Sequence, residues 1–503
     1  MKRWHLLAAA IAALILWHAW ASQFNHDEIE HLHAAWLVAH GARPYTDFLE
    51  QHHPTLWYLL APSVGLFQSV RSFVFAARLF DLACLAGLLA IFVRLFRRLY
   101  PGARVRWPLL VLVSSFMFVR DTLEVRPDPL MNFLVYGALL SWVAFLQDHR
   151  RLRAAAAGVL FGAAVVVLQK ALVVLALVVA ASLLLAVRHR ADRVRSRRLV
   201  LGAGLMVAAA VGPVVALFAA IAARGFWNDF WFWNYQFNRF FYLQAELCKH
   251  FSVLVTLGIS VAEDAVLWIA GAGGMFLCAR QLWRDRRSTS GADDPRSGLL
   301  VVALGYLPFL CFNRFPLEQY FIVLLPLLAL FSAEVFARAV APRPRAILQW
   351  SSGVMAFVLA GILLLYPGNG PQRDVQDVVL AQTAPDEPIF MPPPYNPVFR
   401  RDAGYFWYNG KLIGDAYAQY CETRQRGCAG DKRDLDDHRW QSHPPRFVYL
   451  YDPEYYPVHW KSRSRDYEAT TVPGLLRASA ALSSRVEGAG EAVHARRRFL
   501  QRP

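Results

Sequence analysis

The feature that most constrains the fold is a series of apolar runs between residues 4 and 366, each close to the length of a membrane-spanning helix. A bilayer core of about 30 Å needs about 20 apolar helical residues. Backbone inside lipid must satisfy its own hydrogen bonds, which restricts spanning segments to helices and closed barrels. Only 18% of the residues are charged, against about 25% in a soluble domain. We therefore predict a polytopic all-α membrane bundle.

Run length and loop charge predict about eleven spans in this bundle. They lie near residues 4–21, 73–94, 108–120, 129–147, 154–168, 170–187, 199–222, 263–283, 299–312, 319–338 and 346–366. Residues 55–69 are apolar but short and contain Pro62, so we expect an interfacial or re-entrant helix there. The first run lacks a small-x-small cleavage site before the acidic segment, which indicates an uncleaved first helix.

Arginine clusters fall in alternate loops when residues 55–69 do not cross the membrane. The positive-inside rule then places the N-terminus in the cytoplasm and the C-terminal segment outside. The same loops explain most of the net charge of +16. Because no nucleic-acid motif accompanies this charge, we expect no nucleic-acid partner.

The composition changes after Tyr366, where the last apolar run ends. We predict a membrane domain over residues 1–366, with an outer loop at 22–72, and a small extracytoplasmic domain over 367–503. Buried strands expected at residues 389–391 and 447–450 favour an α/β domain. Cys421 and Cys428 lie close in sequence, and an oxidising compartment would allow a disulfide between them.

Acidic residues crowd the segment that follows the first span. Carboxylates are costly near a bilayer, so Asp27, Glu28 and the later Asp47 indicate a functional site. Asn25 and Glu28 also match a helix capping box. The capping box accounts for Glu28 without a catalytic role, but it accounts for Asp27 only as a favourable charge at the helix start. Catalysis and capping therefore stay open as alternatives.

Histidines in the same segment raise the possibility of a metal site. They are His26, His31, His33, His52 and His53. Their spacing matches no strong metal signature, and a solvated or hydrogen-bonded histidine is the commoner case. We assign no metal ligand and no certain cofactor, and a divalent metal stays open.

Cations on the outer side need an explanation, because the positive-inside rule makes them uncommon there. Arg126, Lys170 and Arg314 either snorkel to lipid headgroups or bind a phosphate. Asp128 opens a span, where it caps the helix or shares an outer cavity with Asp27. A carboxylate base together with phosphate-binding cations is typical of group transfer from a lipid phosphate.

The sequence resembles the GT-C class of membrane glycosyltransferases, in the branch that includes protein O-mannosyltransferases and the aminoarabinose transferases of lipid A. The resemblance lies in three motifs within about the first hundred residues. They are Asp27-Glu28, Pro44-Tyr45-Thr46-Asp47 and His53-Pro54-Thr55-Leu56, where Thr55 replaces the second proline of the family pattern. The outer-face polar positions and the outer tail also match the family.

The resemblance implies an inverting transferase that uses a polyprenyl-phosphate sugar at the outer face of a bacterial inner membrane. Asp27 would be the base or a carboxylate that orients the acceptor, with Glu28 and Asp128 as supporting acids. Lys170 and Arg126 would contact the donor phosphate. The other implied substrate-binding positions are Asp47, His53, Arg314 and Tyr320. The acceptor would be a lipid, a protein or an envelope glycan, and many members need no metal.

Two other functions stay open. If the chain were a transporter or a lipid flippase, we would expect charged residues at mid-bilayer and an internal repeat. We find no repeat in the sequence, and only Arg78 and Asp81 lie deep in a predicted span. A non-catalytic assembly protein that binds envelope glycans predicts that Asp27 can be replaced without loss of function.

Overall fold

A computed structural model of the chain describes residues 2–244, 253–284, 294–312, 317–338, 342–408, 410–423, 432–451, 456–457 and 464–479. These residues form two compact units. The first comprises Met1–Trp20, Ala77–Gly225 and Glu246–Tyr366, and we call it the helical unit. The second comprises Ala21–Ala76, Phe226–Ala245 and Pro367–Pro503, and we call it the mixed unit.

The helical unit consists of apolar helices. Two of them, Lys2–Ala21 and Val70–Leu99, lie mostly in this unit. The others are Arg106–Val113, Phe116–Leu123, Pro127–Asp148, Arg151–Val167, Ala171–Arg188, Arg193–Ala223, Val253–Glu263, Ala265–Arg284, Arg296–Phe312, the 3₁₀ helix Glu318–Val323, Leu325–Arg338 and Pro342–Leu365. Large side chains such as Phe92 and Trp142 are fully buried in its core. Leu184, Val215 and Phe276 are exposed on the helix surfaces. The outer faces of these helices are also apolar, which fits a lipid environment.

Five described helices are long and apolar enough to cross a membrane. They are Val70–Leu99, Pro127–Asp148, Ala171–Arg188, Arg193–Ala223 and Ala265–Arg284. Shorter apolar helices accompany them at Ala9–Ala21, Thr55–Leu66, Leu254–Glu263, Arg296–Leu310, Leu325–Ala337 and Gly353–Leu365. The helices support a membrane protein, and the number of eleven spans stays a prediction.

The predicted span at residues 108–120 is not a continuous helix. Residues 108–120 fall in two helices of 8 residues each, Arg106–Val113 and Phe116–Leu123. The Ser115 hydroxyl accepts a hydrogen bond from the backbone N–H of Phe118 at 3.1 Å and so starts the second helix. A helix-start residue inside the apolar run therefore interrupts the helix, and the crossing of the membrane by residues 108–120 stays a prediction.

The short apolar segment at residues 55–69 is helical, in agreement with the prediction. An α-helix, Thr55–Leu60, continues into a 3₁₀ helix, Ala61–Leu66, with Pro62 in its first turn. Together they extend roughly 20 Å, which is well short of a bilayer core. This length fits an interfacial or re-entrant element.

Two glycines set a close approach between helices in the helical unit. A side-chain carbon on Gly158 would lie 2.9 Å from the Cα atom of Met206, and one on Gly162 would lie 2.9 Å from the Cα atom of Ala210. The glycines are four residues apart and therefore share one helix face. The packing depends on their lack of a side chain, as in other small-x-x-x-small contacts between membrane helices.

Gly162→Leu is expected to lower the melting temperature of the purified protein, because the two helices must move apart. Overpacking of this kind costs about 1–3 kcal/mol. Gly204→Leu is the matched control, since a side chain there meets nothing within 4 Å. Equal melting temperatures for the two variants in the same detergent would contradict the close approach.

The mixed unit joins helices to a small sheet. Its helices are His26–Ala39, Thr55–Leu60, Ala61–Leu66, Trp227–Trp231, the π-helix Phe232–Phe237, Asn238–Gln244, Gly370–Gln382, Gly410–Thr423, Lys432–Ser442 and the short 3₁₀ helix Ser464–Asp466. The strands are Phe447–Tyr449, Tyr467–Ala469 and Leu475–Ala478.

The central strand, Leu475–Ala478, pairs antiparallel with the other two. The strand predicted at residues 447–450 is present, whereas residues 389–391 contribute only isolated bridges. The three described strands pair antiparallel, whereas Phe390 bridges Val448 in parallel, and the α/β class of the domain stays a prediction. Apolar runs show which residues are buried, but strand direction depends on the connections between strands.

The mixed unit combines the C-terminal segment with residues 21–76 and 226–245. The division of the chain into 1–366 and 367–503 stays a prediction. Cys421 is disulfide-bonded, and Cys428 lies outside the described residues.

Candidate functional site

The acidic segment begins with a capped helix in the mixed unit. His26–Ala39 starts at Asn25, whose side-chain oxygen accepts a hydrogen bond from the Asp27 N–H at 3.1 Å. Glu28 Oε2 in turn accepts a hydrogen bond from the Asn25 N–H at 2.8 Å, which completes a capping box. Glu28 is buried and Asp27 is partly exposed. Glu28 therefore fixes the helical turn that carries Asp27.

One turn further along this helix, Glu30 and His31 meet Glu50 and His52, which lie in the loop before the helix Thr55–Leu60. His52 Nδ1 lies 3.3 Å from Glu50 Oε2 and 3.5 Å from Glu30 Oε1. Trp57 donates its indole N–H to His31 Nδ1 at 3.1 Å. One possible ligand atom from each of Glu30, His31, Glu50 and His52 lies within 4.8 Å of the others. We call these four residues the Glu–His cluster, and their spacing can hold a metal ion.

Burial and mutual contact shift the proton affinities in the Glu–His cluster. Burial and the nearby Glu50 raise the pKa of Glu30 to about 7, although His52 acts in the opposite direction. Burial disfavours the charged imidazole of His52. The hydrogen bonds that this imidazole donates to Glu30 and Glu50 outweigh that effect and raise the pKa of His52 to about 10. The cluster can therefore take up or release a proton near neutral pH.

We expect the free energy of unfolding to fall as pH rises from about 5 to about 10. Because the pKa of each of Glu30 and His52 is higher in the folded chain than the ordinary values of 4.5 and 6.5, the folded state holds more protons in between. The Glu30 contribution is complete below pH 4.5 and is lost near pH 7. The His52 contribution is complete below pH 6.5 and is lost near pH 10.

Thermal melts across this pH range, with EDTA present, measure how the free energy of unfolding depends on pH. Glu30→Gln removes the titrating carboxyl, so the part of the slope between pH 4.5 and about 7 should become flatter. An unchanged slope in Glu30→Gln would contradict the assignment of that proton to Glu30.

Two other predicted positions in the mixed unit have different partners. Asp47 Oδ2 accepts a hydrogen bond from the Arg43 N–H at 2.7 Å. His53 Nε2 lies 3.3 Å from the Tyr235 hydroxyl. Asp47 also lines a cavity of about 430 Å³. Other side chains that line this cavity are Trp36, His40, Arg401, Asp402, Arg439 and His443.

The helical unit holds the predicted lysine in a break between two helices, Arg151–Val167 and Ala171–Arg188. Lys170 Nζ donates to Asp128 and, at 3.2 Å, to the backbone carbonyl of Gln319. It also lies 4.7 Å from the centre of the Tyr320 ring. The Lys170 side chain is only 7% exposed, so these contacts replace the water shell of its ammonium group.

Arg126 lies beside the same aspartate. Its Nε atom is 3.9 Å from Asp128 Oδ2, and its Nη1 atom is 3.1 Å from Glu124 Oε2. The structure thus brings Arg126, Asp128, Lys170 and Tyr320 together within the helical unit. Arg314, the remaining predicted cation, lies outside the described residues.

The helical unit contains a second ion-pair group that was not predicted from the sequence. Arg120 contacts Asp121 at 2.8 Å, Glu318 through Nη2, and Glu263 at 3.9 Å. Two of these partners are distant in sequence, so no local spacing indicates the group. The Glu–His cluster was also not predicted as a unit, and its only signal is the density of acidic and histidine residues between positions 26 and 53.

No protein-family model and no sequence of a characterised protein matches the chain. Its structure is similar to two crystal structures of ArnT from Cupriavidus metallidurans. The apo structure has a TM-score of 0.63 at 14% identity and covers 96% of this chain and 99% of that chain. The structure bound to undecaprenyl phosphate has a TM-score of 0.53 at 16% identity, with 76% and 73% covered. The predicted GT-C fold is confirmed by this likeness.

Proposed function

We propose that the chain is a membrane glycosyltransferase that moves a sugar from a polyprenyl-phosphate donor to an acceptor. The observation that carries the proposal is the fold shared with ArnT, one of whose structures holds undecaprenyl phosphate. The acceptor is a lipid, a protein or an envelope glycan. The active face is the outer side of a bacterial inner membrane, with the N-terminus in the cytoplasm and the C-terminal segment in the periplasm.

Lys170 and Arg126 contact the donor phosphate in this proposal. A charge-assisted hydrogen bond from a buried cation to phosphate is strong because little water screens it. Lys170 has three N–H donors, and contacts with Asp128 and Gln319 occupy two of them within the described residues. The third is available for a phosphate oxygen. Asp128 acts as a supporting acid by holding the ammonium in place.

Asp27 accepts the proton of the acceptor. The acceptor oxygen or nitrogen attacks the anomeric carbon, the bond from that carbon to the phosphate oxygen breaks, and polyprenyl phosphate leaves with the electron pair. Lys170 and Arg126 stabilise the charge that develops on the leaving phosphate. A single displacement inverts the anomeric configuration.

The remaining proposed residues support binding. Glu28 acts through the capping box that fixes the turn of Asp27. Asp47, His53, Arg314 and Tyr320 are proposed to contact the substrates, Tyr320 through the face it presents to Lys170.

The test supplies the purified protein in lipid nanodiscs with a panel of polyprenyl-phosphate sugars and, in parallel, the matching nucleotide sugars. An extract of cell envelope serves as the acceptor source. We expect one polyprenyl-linked donor to release polyprenyl phosphate and no nucleotide sugar to react. Transfer from a nucleotide sugar, or no release across the whole panel, would overturn the proposal.

A further inference from the structure

The proposed transfer chemistry assigns no role to the cavity of about 430 Å³ in the mixed unit. The cavity lies where the end of the helix His26–Ala39 meets residues from the stretches 386–404 and 439–443. All of its lining residues belong to the mixed unit. Pockets that bind small molecules usually have volumes of about 300–1,000 Å³. The cavity therefore has the size of a ligand pocket.

The lining of the cavity includes a carboxylate that a buried histidine keeps in place. The Asp402 side chain is 6% exposed, and its Oδ2 atom lies 2.5 Å from Nε2 of His33, which is fully buried. Nδ1 of the same ring lies 2.6 Å from the backbone oxygen of Val398. Both ring nitrogens therefore have oxygen partners, and the imidazole cannot turn without losing a hydrogen bond. The carboxylate is fixed before any ligand arrives, which lowers the entropic cost of binding.

The second oxygen of this carboxylate has acceptor capacity to spare. Asp402 Oδ1 lies 3.4 Å from the side-chain nitrogen of Asn396, whereas hydrogen bonds of this kind are usually about 2.7–3.2 Å long. A carboxylate oxygen with so weak a donor gains from a further one. Because Asp402 lines the cavity, a ligand hydroxyl bound there can supply that donor.

Two arginines add hydrogen-bond donors to the lining of the cavity. Arg439 donates through Nη1 to the backbone carbonyl of Asp47, which uses one of the five N–H groups of a guanidinium. Arg401 is exposed, and its side chain has no hydrogen-bond or ion-pair partner within the described ranges. Most of the donors on both side chains therefore stay available to a ligand.

The balance of charge in the lining indicates the class of ligand. A phosphate site gathers cations, and a site for a hard cation gathers oxygen ligands. Here neither sign dominates, because three carboxylates accompany two guanidinium groups and two imidazoles. These residues are Asp47, Asp386, Asp402, Arg401, Arg439, His40 and His443. A hydroxyl both donates and accepts hydrogen bonds, so a neutral ligand with many hydroxyls uses both kinds of group.

Buried aromatic side chains line the same cavity. Trp36 is 5% exposed and Phe48 is 3% exposed. Trp36 packs against the rings of His33 and His40, at centre-to-centre distances of 5.7 Å and 4.3 Å, which restricts its movement. Aromatic side chains offer a large apolar area at a low cost in conformational entropy. A sugar ring has hydroxyls at its rim and C–H groups on its faces, so it matches a lining of polar groups and aromatic carbon.

We propose that this cavity binds a saccharide residue of a neutral glycan. Asp402 accepts hydrogen bonds from sugar hydroxyls, and Arg401 and Arg439 donate to hydroxyl oxygens. Trp36 contacts the C–H groups of the ring. That the saccharide is part of the acceptor rests on the proposed function, in which Asp47, another lining residue, contacts a substrate.

The first test measures binding to the full chain in lipid nanodiscs by saturation-transfer difference NMR. The probes are neutral disaccharides of hexoses and of N-acetylhexosamines, with inorganic phosphate as the anionic competitor. We expect at least one disaccharide to receive saturation above the level with empty nanodiscs, and we expect phosphate at equal concentration not to displace it. Absence of transfer to every disaccharide, or displacement by phosphate, would overturn the proposal. Because the measurement needs no donor and no turnover, it decides the site even if the proposed transferase function fails.

The second test locates the saccharide with variants. Asp402→Asn should weaken binding at least about tenfold, as expected for a hydrogen bond to a charged group, and Arg401→Gln should weaken it about fivefold. Arg465→Gln is the matched control, since Arg465 is exposed in the same unit and does not line the cavity. Far-ultraviolet circular dichroism checks that each variant is folded, and the exposed Arg401 is the safer position in this respect. Equal affinities in folded Arg401→Gln and Arg465→Gln variants would place the sugar elsewhere and overturn the assignment.

Discussion

Asp27→Asn is expected to lower kcat for sugar transfer by about 10²–10⁴-fold, which is the usual contribution of a general base. The KM for the donor should change little, because the proton is accepted only as the bond to the acceptor forms. Steady-state release of polyprenyl phosphate at varied donor concentrations measures both constants.

The fold should survive this substitution. Asp27 is partly exposed, and its backbone N–H, rather than its carboxylate, makes the bond to Asn25. Loss of the charge in the first helical turn costs about 0.3–1 kcal/mol, so the melting temperature should move only slightly. Asp415→Asn, an exposed change in the same unit, is the matched control. A kcat for Asp27→Asn equal to that of this control would contradict the role of Asp27.

Lys170→Met is expected to lower the free energy of unfolding and to abolish donor turnover. The substitution leaves Asp128 buried without its ammonium partner, since that carboxylate is only 5% exposed. Removal of one member of a buried ion pair costs about 3–5 kcal/mol. Melting temperature and donor turnover are the two measurements.

A double variant separates the structural effect from the functional one. Lys170→Met combined with Asp128→Asn removes both charges, so much of the lost stability should return. Donor turnover should stay absent, because the cation proposed to contact the phosphate is still missing. Recovery of turnover together with stability would show that Lys170 serves the fold alone.

Local signals made part of the structure predictable. The capping residues Asn25 and Glu28 lie three positions apart and act within one helical turn, so their bonds follow from the sequence. Lys170 was predictable as a site candidate because a lysine between two apolar runs is conspicuous against the positive-inside pattern.

Other features depend on contacts between distant residues. The pairing of Arg120 with Glu318 and the convergence of Glu50 with Glu30 bring together separate stretches of chain. Sequence spacing carries no information about such approaches. The helix break at Ser115 was missed for another reason, because hydropathy averaged over a span hides a single capping serine.

The most direct test of the central claim follows a labelled polyprenyl-phosphate sugar in sealed proteoliposomes that also contain envelope acceptor. The account predicts cleavage of the donor, with polyprenyl phosphate released and the sugar found on the acceptor, and it predicts that Asp27→Asn stops both. Intact donor that moves to the opposite leaflet without cleavage would contradict the account and identify a flippase.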